Sequence, residues 1–113
     1  MSNYIEVFDY EGNKVVCTRD QWFSHIASGH EIMRKNKMAV EETINSPDTV
    51  YTSSTSPIRK VFFKTSSNAT YGTNLKTKVI VEYACAEEGE VVTAFPTKTE
   101  TGGVEDVIYP RQN

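Results

Sequence analysis

The sequence predicts an α+β domain in which two helices come first and a mainly four-stranded antiparallel sheet follows. Three observations carry that prediction. Apolar residues recur at helical spacing between Trp22 and Ile44, they alternate with a period of two from Arg59 onward, and Asn45-Ser46-Pro47-Asp48 separates the two regimes. The residue before a proline is pushed out of the α region, so no helix continues through that separator. The 113 residues are read as one domain, with an N-terminal hairpin extension over 1–18 and a core over 19–109.

Each element has a local reason. Ile5 and Val7, then Glu11-Gly12-Asn13, then Lys14-Val15-Val16-Cys17, read as strand, turn and strand of a hairpin. Thr18-Arg19-Asp20-Gln21 has the Thr-x-x-Gln form of a capping box. The amphipathic turns that follow place Trp22, Phe23, Ile26 and Ala27 inward, and Gly29 ends or bends them. A second helix is expected from Met33 to Ile44, with Met33, Lys37, Val40 and Ile44 in one row.

Beyond the separator, strands are expected at Thr49–Tyr51, Arg59–Lys64, Lys76–Ala84 and Val91–Phe95, with an edge strand at Val104–Tyr109. Thr65–Asn74 reads as a loop and Glu87-Glu88-Gly89-Glu90 as a hairpin turn. Val91, Thr93 and Phe95 are expected on one face and Val92 and Ala94 on the other. The helices should cover one sheet face and leave the second partly open.

Charge is distributed unevenly. Residues 1–48 carry eight acids and five bases, residues 82–113 carry seven acids and two bases, and residues 49–81 carry no acid. The middle stretch holds Arg59, Lys60, Lys64, Lys76 and Lys78. Such a stretch either attracts phosphate or consists of strand lysines facing water. The net charge of −3 argues against strong non-specific binding to duplex DNA, which depends on many released counterions.

Apolar runs are far too short for a membrane span, and the stretch beginning Met1-Ser2-Asn3 lacks a secretory leader's features. The expectation is a cytoplasmic protein. Cys17 and Cys85 stand apart from any metal-ligand or disulfide spacing, so both are expected as reduced thiols, with a single bridge as the alternative.

Candidate chemistry rests on few residues. His25 and His30 are the only histidines, and imidazole is the side chain best matched to proton transfer near neutrality. Their spacing of five differs from the i, i+4 pair of a helical zinc motif, and no metal or cofactor is expected. Lys64 ends a strand and opens a Ser/Thr/Asn loop, where a cation and backbone donors could meet a phosphate. Thr93 and Thr97 lie mid-strand and at a strand exit, Tyr71 could stack a base, and Arg59 belongs to the basic stretch.

In combination these residues resemble a known family. His25-Ile26 followed by His30-Glu31, then Val40-Glu41-Glu42-Thr43-Ile44-Asn45-Ser46-Pro47-Asp48-Thr49-Val50-Tyr51, is similar to a histidine-bearing helix region followed by an "I..TI.NPD.I" stretch. Arg59–Lys64, Lys78–Tyr83 and Val91–Thr97 resemble the three strands that follow it, and Gly102-Gly103 falls where a glycine is usual. The family is the phage-associated branch of the barnase/EndoU/colicin/RelE-like (BECR) nucleases, and the likeness spans roughly residues 20–103. Gly29-His30-Glu31 departs from it, lacking the basic residue before the second histidine and the proline after it.

The resemblance implies a metal-independent, toxin-like or phage-associated endoribonuclease that leaves a 2′,3′-cyclic phosphate. His25, His30, Lys64 and Thr93 would be catalytic, and Arg59, Tyr71 and Thr97 would bind substrate. It also implies RNA, tRNA included, as partner, with an antitoxin or immunity protein to neutralise an active enzyme. Two alternatives stand beside it: a non-catalytic RNA- or protein-binding module on the same fold, and an acidic immunity-like partner of a nuclease.

Overall fold

The computed structural model describes residues 3–110, so Met1 and Ser2 of the amino-terminal stretch lie outside it. The chain forms β1 (Asn3–Phe8), β2 (Lys14–Thr18), a π-helical turn (Gln21–Ile26) continuing into α1 (Ala27–Gly29), a 3-10 turn (Glu31–Lys35) and α2 (Lys37–Asn45). There follow β3 (Thr49–Ser53), β4 (Arg59–Lys64), a 3-10 turn (Gly72–Asn74), β5 (Lys76–Cys85), β6 (Glu88–Thr97) and β7 (Val104–Tyr109). All seven strands join one sheet in the order β1-β2-β6-β5-β4-β3-β7.

This α+β architecture corrects the expected four-stranded antiparallel sheet in two ways. First, β1 and β2 pair antiparallel but do not stand apart from the sheet. Residues Lys14–Val16 run parallel to Glu88–Glu90 and graft the pair onto β6, making the sheet mixed. Second, β7 does not follow its predecessor in space. It crosses to the opposite edge and pairs with β3. Neither long-range pairing is encoded in local alternation, which fixes faces but not neighbours.

The turn before β2 is organised by Asp9, which is almost fully buried. Its carboxylate accepts the backbone N–H groups of Glu11 and Asn13 and the hydroxyl of Tyr83 at 2.7 Å. An Asx-type arrangement of this kind fixes a turn through its own side chain.

One sheet face carries Ile5, Val15, Cys17, Val50, Phe62, Val79, Val81, Tyr83, Val91 and Ala94. Against it pack Trp22, Ile26, Ala27, Met33, Val40 and Ile44 from the helical segments. Leu-sized or larger side chains contribute roughly 1.5–3 kcal/mol each on full burial, so this single cluster supplies the main driving force for folding.

The helical segments are less regular than the sequence pattern suggests. The amide of Ala27 donates to the carbonyl of Trp22, an i→i+5 bond that defines the π turn. Thr18 accepts the Gln21 amide at 3.1 Å, but the Gln21 side chain reaches the Val92 carbonyl at 2.5 Å instead of closing the capping box. The helix expected over Met33–Ile44 is broken at Asn36. The Asn36 side chain is fully buried, donates to Ile32 and Thr70, and accepts the Thr70 amide. It therefore ties the 65–74 loop to the helices in place of a continuous helical ladder.

A bulge on β6 corrects the expected strand faces. Ile80 is opposite Thr93 while Val81 is opposite Val91, leaving Val92 extra. Val91 and Ala94 consequently both face the core, and Thr93 and Phe95 face the other way. Gly89, expected in the turn, is instead buried inside β6, and the turn tightens to Ala86-Glu87.

Candidate functional site

The second sheet face, away from the helices, is set by strand register. Thr49 and Tyr51 of β3 lie beside Phe63 and Val61 of β4. These neighbour Lys78 and Ile80 of β5, and next come Phe95 and Thr93 of β6. Because β2 pairs with β6 only over Glu88–Glu90, the rest of β6 is an edge, and the π turn lies along it through Gln21. His30, just past α1, stacks on Phe95 with ring centroids 4.9 Å apart and planes 24° apart. Thr93 and Thr97 flank Phe95 on the same strand face, each about 7 Å away along the strand.

Three of the sequence-selected residues, His30, Thr93 and Thr97, are thus brought to one place. Among the described residues the Thr93 hydroxyl has no side-chain hydrogen-bond partner, while Thr97 donates to the Thr99 carbonyl at 3.2 Å. The imidazole of His30 is exposed. His25 is exposed on the π turn and is not part of this stack.

The others are placed elsewhere. Lys64 has the parity of core-facing Phe62, so it projects to the helix side, where Asp48 holds it at 3.4 Å. Its loop is also engaged: Asp48 accepts the Thr65 amide, and Glu42 accepts Ser66 and Asn68 side chains. The Lys64 ammonium and the Thr65 amide, expected to meet a phosphate, are instead engaged by Asp48. Tyr71 lies on the helix side too, its phenol bonded to buried Thr77, and burial raises its pKa. Arg59 sits at the far end of the second face in a 2.9 Å pair with Glu82.

The acid-free stretch is therefore not a bare basic surface. Arg59, Lys60, Lys64 and Lys76 meet Glu82, Glu11, Asp48 and Glu100 respectively, all supplied by the acidic flanks. Lys78 is 5% exposed and meets no carboxylate among the described residues. Its ammonium donates to the Thr101 and Gly102 carbonyls and lies 5.7 and 5.3 Å from the Phe63 and Phe95 ring centroids. Burial lowers its pKa. Nearer the helices, Arg19 and Lys37 stand 5.2 and 4.5 Å from the Tyr4 ring.

Sequence reading put Phe95 on one face with Thr93 but selected neither Phe95 nor Lys78 for the site, although alternation with Val79 and Val81 places Lys78 there. It also missed Glu100, whose position depends on the crossing to β7. Cys17 is buried in the core and Cys85 exposed at the end of β5, both as free thiols, which excludes the bridged alternative in this structure. Among the described residues no helix is long and apolar enough to cross a membrane. Comparison with known protein families, curated proteins and solved structures returns no match.

Proposed function

We propose that the chain is a metal-independent endoribonuclease whose working surface is the second sheet face along β6. The observation that carries the reading is the grouping of exposed His30 with Phe95, Thr93 and Thr97 on one strand edge. In such a reaction the RNA 2′-hydroxyl attacks the adjacent phosphorus and the 5′-oxygen leaves, giving a 2′,3′-cyclic phosphate. His30 accepts the 2′-hydroxyl proton and returns it to the leaving 5′-oxygen. The Thr93 hydroxyl, without a side-chain hydrogen bond among the described residues, donates to a non-bridging phosphate oxygen as charge develops there. Phe95 offers an aromatic surface beside the histidine for a neighbouring base.

Lys64, Tyr71 and Arg59 have no part in this version of the site, and His25 lies outside the stack. The proposal is tested by incubating RNA with the protein in EDTA and analysing fragment ends by mass spectrometry. Cyclic-phosphate ends from the unmodified protein, lost in His30→Gln and retained in Lys64→Met, are expected. Retention in His30→Gln would refute the assignment.

A second reading, an RNA-binding module without turnover, is favoured by one observation. The cations of the middle stretch are already engaged by carboxylates or carbonyls, so none of them is available to balance a dianionic transition state. Saturable RNA binding without cleavage is its expected signature in the same experiment.

A further inference from the structure

The connection from β6 to β7 is a strap across the second sheet face, and its Glu100 carboxylate is held like a bound anion. Tyr51 donates to one carboxylate oxygen at 2.8 Å. Thr49 donates to the other at 3.2 Å, and the Lys76 ammonium approaches that same oxygen at 3.4 Å. The three donors come from β3 and β5, two strands that flank β4. Glu100 therefore bridges the sheet above β4, on the face where Phe63 is buried. A phenol, an alcohol and an ammonium converging on one oxyanion make the kind of donor set that binds phosphate.

The rest of the strap is latched beside it. Lys78 holds the Thr101 and Gly102 carbonyls at 2.9 and 2.7 Å, and Gly103 accepts the Ser54 amide at 2.8 Å. Gly102 and Gly103 have φ of 86° and 72°, conformations that let the strap turn toward β7 without side-chain strain. Lys76 thus holds the strap's carboxylate and Lys78 two of its carbonyls, and Lys76 stands opposite Thr97 in the β5–β6 register.

We infer that Thr49, Tyr51 and Lys76 form a phosphate-binding site that Glu100 occupies in cis, so that a phosphate-bearing ligand and the strap compete for it. Naming an RNA phosphodiester as that ligand rests on the ribonuclease reading; the competition itself does not. Displacing the carboxylate would release Lys76 onto the same face as Thr97.

The test uses the full chain in three forms: unmodified, Glu100→Gln, and Glu100→Gln with Lys76→Met. Inorganic phosphate and a single-stranded oligodeoxynucleotide, which lacks the 2′-hydroxyl and cannot be cleaved by this route, are titrated into each by NMR. Removing a charge-assisted competitor is expected to tighten binding about ten-fold or more in Glu100→Gln, with shifts at Thr49 and Tyr51. The added Lys76→Met should reverse that gain. Tyr51→Phe in the Glu100→Gln background gives an independent donor deletion and should weaken binding with the fold retained. Equal affinity in the unmodified protein and Glu100→Gln, or no saturable binding of either probe, would overturn the inference. Binding of phosphate but not of the oligonucleotide supports the site and counts against a backbone phosphodiester as its ligand. Failure of RNA cleavage with the competition intact would count against the ribonuclease reading alone.

Discussion

Gly89→Ala is expected to destabilise the protein strongly, and the structure says why. A Cβ at this position would lie 2.7 Å from Val81 Cγ1 and 2.8 Å from Tyr83 Cε2. Neither neighbour can retreat cheaply. Val81 is fully buried in the core, and the Tyr83 ring is pinned at its hydroxyl by Asp9. Overpacking of this kind costs about 1–3 kcal/mol, and pushing the ring off the carboxylate adds part of a charged hydrogen bond, itself about 1.5–3 kcal/mol. A loss near the upper end of the overpacking range is therefore expected. With a urea dependence of about 1–3 kcal/mol per molar for a small domain, the midpoint should fall by roughly 1 M or more. In a Tyr83→Phe background the ring is free to move, so the further cost of Gly89→Ala should shrink measurably. An unchanged urea midpoint for Gly89→Ala would refute the packing argument, and identical costs in both backgrounds would refute the role given to Asp9.

Other perturbations follow from the same structure. Gly29→Ala meets no atom within 4 Å, and Gly29 lacks a positive φ, so it should stabilise by about 0.4–1 kcal/mol in the same unfolding assay. Asn36→Ala leaves the Thr70 amide without its acceptor and should cost about 1–3 kcal/mol, with faster hydrogen exchange over residues 66–74. Stability should fall as pH rises above about 9. Burial, reinforced by Glu90, pushes the Cys17 thiol up to about 12; burial, reinforced by Glu11 and Asp9, pushes the Tyr10 phenol up to about 12. Groups raised in this way favour the folded state below their unfolded pKa, and that advantage is lost through the alkaline window. Lys78, lowered by burial, opposes the trend but is a single group. A urea midpoint constant from pH 8 to 11 would contradict this, and Cys17→Val should flatten the fall.

Much of the fold was legible because it is local. The Arg59–Lys64 strand and the one expected over Lys76–Ala84 follow from alternation, Val104–Tyr109 follows the Gly102-Gly103 turn, and the separator at Ser46-Pro47 ends α2 as backbone sterics require. What was not legible depends on distant partners. The parallel pairing of Lys14–Val16 with Glu88–Glu90 and the crossing of β7 to β3 turn a small antiparallel sheet into a seven-stranded mixed one. The bulge at Val92 reverses the parity of half a strand, which no period-two pattern announces.

The site divides along the same line. Thr93 and Thr97 were readable as strand residues, and His30 as the residue after a helix-ending glycine. Lys64 was readable as a strand-end cation, but its side of the sheet depends on the β4–β5 register, and its partner Asp48 lies across a separate strand junction. The pairing of the acid-free stretch was not legible because its compensating carboxylates are remote in sequence. Glu11 reaches Lys60 and Glu100 reaches Lys76 only once the sheet is assembled.

The central claim is that the working surface is the His30–Phe95 side of the sheet and not the Lys64–Tyr71 side. Chemical-shift mapping of the Glu100→Gln protein with a non-cleavable single-stranded oligonucleotide tests it most directly. The account predicts perturbations concentrated at His30, Thr93, Phe95, Thr97 and Thr49, with Lys64, Ser66 and Tyr71 unmoved. Perturbations centred on Lys64 and the 65–74 loop, or none on either face, would contradict it.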